Sequence, residues 1–115
     1  MEQQVHVVTL AAADLDAARR FYGEAFGWEF NDYGPQYAGI RGPEGAEVGG
    51  LRLDPEPRTG GGPLVLLYSA DLDGSVEAVR AAGGTVTVEP YGFPGGRRFH
   101  FADPSGNELG VWAEA

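Results

Sequence analysis

Two histidines, His6 and His100, and two glutamates in matched surroundings, Glu47 and Glu108, are the side chains of this chain best suited to chemistry. Imidazole and carboxylate are the common donors to a divalent metal and the common partners in proton transfer. Glu47 lies in "GPEGAEVGGL" (Gly42–Leu51) and Glu108 in "DPSGNELGVW" (Asp103–Trp112). The two phrases share Pro43/Pro104, Gly45/Gly106, Glu47/Glu108 and Gly49/Gly110, with Val48 matched to Leu109. Each places a glycine two residues after its glutamate. Residues i and i+2 of a strand share a face, which groups Gly110 with Glu108 and Trp112, and Gly49 with Glu47 and Leu51. Both glutamates also suit solvated turns, since glutamate is mostly exposed. Two isolated histidines make neither a dyad nor a metal site by themselves. No cysteine is present, which excludes disulfides and thiolate ligands. No serine stands in a nucleophile elbow, and the glycine-rich "RTGGGP" lacks the lysine and spacing of a phosphate loop.

The aromatic residues divide by spacing. Phe21, Tyr22 and Phe26 recur at helical intervals and read as core. Phe30, Tyr33 and Tyr37 fall on or between strands and suit either the core or a site. Tyr91 and Phe93 lie in the insertion "YGFPGG", where loop aromatics favour ligand contact over core building. In "RRFHF", Phe99 and Phe101 share one face while Arg98 and His100 share the other. The alternation leaves open which pair lines a cavity.

These residues are positioned by a pattern written twice. "ADLDAARRFYGEAFGW" from Ala13 is echoed by "ADLDGSVEAVRAAGGT" from Ala70. Asp14 and Asp71 are helix N-caps, each with a second acid in the first turn to meet the helix dipole. Gly27 and the pair Gly83–Gly84 supply the stops. "VHVVTL" and "PLVLLYS" precede the helices as apolar strands. Three short strands follow each helix, near residues 28–32, 36–41 and 48–53, then near 85–89, 97–102 and 108–112. The order is strand, helix, three strands, twice: residues 1–53, a Gly/Pro-rich linker at 54–62, and residues 63–115. The final phrases lie farther apart than the helices do, and the "YGFPGG" loop accounts for the difference.

At 115 residues the chain fits one domain with a sizeable core. Seventeen acids face eight arginines and no lysine, for a formal net charge of −9. Such a field opposes binding to nucleic acid or an anionic membrane, and favours cationic guests. It also serves solubility alone. The opening "MEQQVHVV" has no basic secretory region, and no apolar run is long enough to span a bilayer, so the expected location is cytoplasmic.

The "DLDAARRFYGEAFGW" segment, the "AAGG" stop and the "DPSGNELGVW" ending together resemble the vicinal oxygen chelate superfamily, which includes glyoxalase I, bleomycin-resistance proteins and extradiol dioxygenases. The resemblance covers nearly the whole chain. It implies an α+β fold of two βαβββ modules curled around a cavity and paired in a homodimer. Metal-using members draw ligands from the first and last strands of each module. Carried onto this sequence, the last-strand positions fall on Gly110, seven residues beyond Asp103, and on Gly49. The first-strand positions fall on Val7, beside His6, and near Leu64. Glycine, valine and leucine cannot coordinate a cation, and His6 reaches the cavity only through a bulge.

The expectation is therefore a metal-free, cofactor-free binding protein that sequesters a small aromatic molecule, cationic or polar, as bleomycin-resistance proteins do. Its site would draw on Phe30, Tyr33, Tyr37, Glu47, Gly49, Tyr91, Phe93, His100, Glu108, Gly110 and Trp112. The alternatives are a metal-dependent lyase, isomerase or dioxygenase using His6, His100 and Glu47 or Glu108, or a domain whose role is its dimer interface.

Overall fold

The computed structural model of the chain describes residues 7–56 and 63–114. His6 and most of the 54–62 linker lie outside them. Asp14 adopts extended backbone, accepts a hydrogen bond from the Ala17 amide and starts α1 (Leu15–Phe26). Gly27, at φ +71°, ends it in the left-handed conformation that glycine adopts without cost. Asp71 caps α2 (Leu72–Ala81) through the Gly74 amide in the same way.

Around each helix the order foreseen from sequence is present. The first module is β1 (Val8–Ala12), α1, β2 (Glu29–Asp32), β3 (Tyr37–Arg41) and β4 (Glu47–Leu53). The second is β5 (Val65–Tyr68), α2, β6 (Thr85–Phe93), β7 (Gly96–Ala102) and β8 (Glu108–Ala113). Each module forms a four-stranded mixed sheet, ordered β1-β4-β3-β2 and β5-β8-β7-β6. The first and last strands of each module run parallel and the others antiparallel.

One face of each sheet packs on the helices; the other is open. The packed faces contribute Ala38, Ile40, Leu51, Phe99, Phe101, Leu109 and Val111 to a core shared with Phe21, Tyr22, Val76 and Val79. Each fully buried large side chain here stabilises the fold by roughly 1.5–3 kcal/mol. Phe99 and Phe101 are completely buried, which resolves the alternation in "RRFHF": Arg98 and His100 take the open face.

The repeated phrase is a turn followed by a strand. The Gly42 amide donates to Ala46 O at 2.7 Å and the Asp103 amide to Asn107 O at 2.9 Å. Gly45 and Gly106 close the two turns at φ +88° and +89°. The second turn also joins the modules. Asp103 is buried and accepts from the Ser105 amide, the Asn107 amide, Asn107 Nδ2 and the Tyr22 hydroxyl. Asn107 Nδ2 also reaches Ala11 O at 2.6 Å, and the Ala13 amide donates to Ser105 Oγ at 2.8 Å.

Two expectations change. "YGFPGG" is a longer hairpin rather than a loop: β6 continues through Tyr91, which pairs with Arg98, to Phe93, which pairs with Gly96. The registers slip between Val86 and Val88 and again between Val88 and Tyr91. Pro90 lies in the second irregularity of an edge strand, where its missing N–H disrupts no inner ladder. The second change is a bulge in β4. Ile40 pairs with Gly49 but Arg41 with Glu47, so Val48 is an extra residue.

Candidate functional site

The bulge alters which glycine matches which. Thr9 pairs with Gly50 in the first module, and Leu66 pairs with Gly110 in the second. Thr9 and Leu66 hold the same position relative to their helix caps, so the structural counterpart of Gly110 is Gly50. Gly49 and Leu51 turn to the helix-packed side, contrary to the expected grouping. A Cβ on Gly49 would press against Val8 O and approach the Ile40 side chain. Glu47, displaced by one residue, stays on the open face over Gly39.

On the first sheet the open face gathers Tyr33, Tyr37 and Glu47. The Tyr37 hydroxyl occupies the space where a Gly50 side chain would begin, and the Glu47 carboxylate does the same over Gly39. The glycines are thus a floor on which larger side chains lie. Hydrogen bonds from the Tyr33 hydroxyl and then the Asn31 amide hold the Glu47 carboxyl below its usual range. The same contact with Glu47 raises the Tyr33 phenol. Phe30 sits opposite Ile40 and packs against the core from the helix side, so it does not join this group.

The second sheet brings the other six expected residues onto one open face: Tyr91, Phe93, His100, Glu108, Gly110 and Trp112. Leu66 Cδ2 lies 2.5 Å from where a Gly110 Cβ would stand. Trp112 is half-buried, with Tyr68 edge-on at 5.1 Å and Phe93 edge-on at 6.3 Å between ring centres. Arg98, opposite Trp112 in the register, donates from Nε to the Tyr91 hydroxyl at 2.5 Å. Tyr91 Oη is 3.0 Å from His100 Nε2, and His100 Nδ1 is 3.6 Å from Glu108 Oε2. Thr87 Oγ1 donates to the same Glu108 oxygen at 2.8 Å. The Glu108 carboxylate can only accept, which favours a hydrogen on the His100 nitrogen facing it, Nδ1, and leaves Nε2 to accept from the Tyr91 hydroxyl.

Arg98, Thr87, Leu66 and Tyr68 were not singled out as site residues from sequence. Arg98 was legible only as the partner of His100 in the alternation. Leu66 and Tyr68 read as buried strand because "LVLLY" is apolar throughout.

A separate cleft of about 470 Å³ opens between the helix-packed faces of the two sheets. Val8, Leu10, Trp28, Ile40, Val65 and Leu67 are among its walls, and Gly49 is the only expected site residue there. Its volume suits a small ligand, but its lining is largely apolar and continuous with the core. The convergence of polar and aromatic groups lies on the open face.

No group of three or more histidine, cysteine, aspartate or glutamate residues capable of holding a metal occurs among the described residues. Of the positions from which the resemblance would draw ligands, the two on the last strands are Gly50 and Gly110, overlaid by Tyr37 and Leu66. These residues do not fit a metal.

Residues 3–111 match the Glyoxalase/Bleomycin resistance protein/Dioxygenase superfamily, and the chain belongs to it. An uncharacterized protein of Mycolicibacterium smegmatis is 29% identical over 109 residues, covering 94% of this chain and 91% of that protein. A glyoxalase-related enzyme from Fulvimarina pelagi superposes with a TM-score of 0.78 at 28% identity, covering 97% of this chain and 88% of that one. TnmS3, an antibiotic binding protein from Streptomyces sp. CB03234, superposes with a TM-score of 0.72 at 25% identity, covering 100% and 99%. The family thus holds both enzymes and antibiotic-binding proteins, and no helix among the described residues is long and apolar enough to cross a membrane.

Proposed function

We propose that the chain is a metal-free protein that binds and sequesters a small aromatic molecule on the open face of its second sheet. The observation that carries this reading is that Tyr37 lies over Gly50 and Leu66 over Gly110, so positions that would supply ligands are covered by aromatic and apolar side chains. Trp112, Tyr68 and Phe93 offer ring faces and edges, and an aromatic guest gains about 0.5–1.5 kcal/mol per such contact beyond burial. Likeness to an antibiotic binding protein supports the same assignment. Drug resistance by capture is its functional sense, and no bond is broken.

The carboxylates on the open faces are already engaged. Glu47 is held by Tyr33 and Asn31, Glu108 by Thr87 and His100, and Glu114 by Tyr68. The net charge still favours approach of a cation, but stacking is the main attraction.

We infer further that the protein works as a homodimer. Among the described residues, β1 and β5 pair on one side only, and Val7, Val8, Leu64 and Leu66 are exposed at or beside these edges. Unpaired apolar edges need covering, and a second copy is the occupant proposed.

Titration with planar polycyclic aromatics tests the reading. Tryptophan emission should be quenched in the Trp28→Phe variant and unresponsive in Trp112→Phe, with or without chelator. The reverse pattern would place the guest in the cleft beside Trp28, and a requirement for metal would return the enzymatic alternative.

A further inference from the structure

Among the described residues, Arg98 differs from its neighbours in having no ion-pair partner. Arg97 pairs with Asp73 at 3.6 Å and Arg80 with Glu89 at 2.7 Å, whereas Arg41 and Arg52 pair with Glu29 and Asp54. Arg98 faces no carboxylate among the described residues. The acids nearest in its sheet are committed elsewhere: Glu108 to Thr87 and His100, Glu114 to Tyr68.

The side chain is nevertheless fixed. Its guanidinium carbon lies 4.7 Å above the Phe93 ring centre and 5.4 Å from that of Tyr91. Its Nε donates to the Tyr91 hydroxyl, which is itself anchored on His100. Stacking and the Nε bond together set the plane of the guanidinium, and neither terminal nitrogen is bonded among the described residues. An arginine held this way loses little entropy on pairing, and its planar fork matches a two-oxygen anion. Trp112 lies directly across the strand pair from it.

We propose that Arg98 is the anion-recognition residue of this surface, and that the ligand is a planar aromatic acid whose ring stacks at Trp112 while its carboxylate or equivalent oxyanion pairs with the Arg98 fork. This rests on the reading of the open face as the ligand surface, and it narrows the ligand class against the protein's own net charge of −9. Discrimination arises because an uncharged amide of the same shape leaves the guanidinium without a counter-charge in a partly desolvated position.

The test compares 2-naphthoate with 2-naphthamide by isothermal titration calorimetry at neutral pH, using wild type, Arg98→Gln and Arg98→Lys, each checked for native circular dichroism. Wild type should favour the acid by at least about tenfold. Arg98→Gln should lose that preference while still binding the amide, and Arg98→Lys should retain part of it, since a point charge replaces the fork. Equal affinity of wild type for acid and amide, or an undiminished preference in Arg98→Gln, would overturn the assignment of Arg98 and leave aromatic capture standing. Binding of neither probe by wild type would overturn both.

Discussion

The Tyr22 hydroxyl donates a 2.8 Å hydrogen bond to Asp103 Oδ2, linking residues 81 positions apart in a buried setting. Tyr22 belongs to the helix of the first module, and Asp103 opens the last turn of the second. Asp103 is thereby the junction of four donors, and its turn reaches back to Ala11 and Ala13. The aspartate of "DPSGN" serves architecture. Asp103→Ala should cost about 3 kcal/mol, because it strands a buried phenol and two amides at once. Urea denaturation should show it, with a smaller loss for Asp103→Asn.

Alkaline pH should act through the same contact. Burial foremost, then the charge and hydrogen bond of Asp103, raise the Tyr22 phenol well above its ordinary 10.0. The folded chain therefore keeps a proton that the unfolded chain releases, and stability falls as pH rises above about 10. Below that pH this group adds no slope. Tyr33 and Tyr68, raised through hydrogen bonds to Glu47 and Glu114, act in the same direction. Tyr22→Phe should reduce the alkaline slope without abolishing it, at about 1 kcal/mol in stability near neutrality. Denaturation midpoints taken across pH 8 to 11 would check this.

Gly110 points to the open face but is covered there by Leu66, so a larger residue should cost modest stability and occupy the proposed ligand surface. Gly110→Leu must displace Leu66, whose Cδ2 is 2.5 Å from the position of the new Cβ. Aromatic probes should bind at least about tenfold more weakly, with the thermal midpoint lowered by only a few degrees. Wild-type affinity in this variant would move the site off the open face.

His100 should carry its proton on Nδ1. Nδ1 faces the Glu108 carboxylate, an acceptor only, so Nε2 is the nitrogen left to accept from the Tyr91 hydroxyl. Long-range ¹⁵N–¹H correlation spectra of the neutral ring should show Nε2 as the unprotonated nitrogen. Glu108→Gln should weaken that bias, and Nε2 protonation in the wild type would contradict the stated order of donors.

Light scattering should report a mass of twice the chain's 12.2 kDa. A lysine at Leu64, on the approach to β5, should shift the species toward monomer by placing charge in an apolar contact. A monomeric wild type at micromolar concentration would remove the proposed role of the β1 and β5 edges.

Much of this was legible in the residues. Asp14 and Asp71 as caps, the glycine stops and the β-branched runs are local signals, and the fold follows them. The strand face in "RRFHF" was not local: Phe99 and Phe101 take the core because the helices lie on that side, which no residue within the strand announces. Tyr91 and Phe93 were mistaken for loop residues because glycine and proline punctuate them, yet an edge strand tolerates both. Grouping Gly49 with Glu47 failed for one reason. Counting by twos assumes an unbroken pleat, and the Val48 bulge breaks it. The anion-ready Arg98 was hidden among eight arginines until its partners could be seen.

Val48 therefore does more than bend a strand. The chain is a duplication, and a perfect duplication would present the same chemistry on both sheets. The bulge absorbs one extra residue so that Glu47 still shares the open face with Gly50, as Glu108 does with Gly110, and the two copies differ there through their own side chains: tyrosines on one sheet, tryptophan, arginine and imidazole on the other. An insertion that would have reversed every side chain before it is thus confined to a single position, and the frame of the duplication survives while its surfaces diverge.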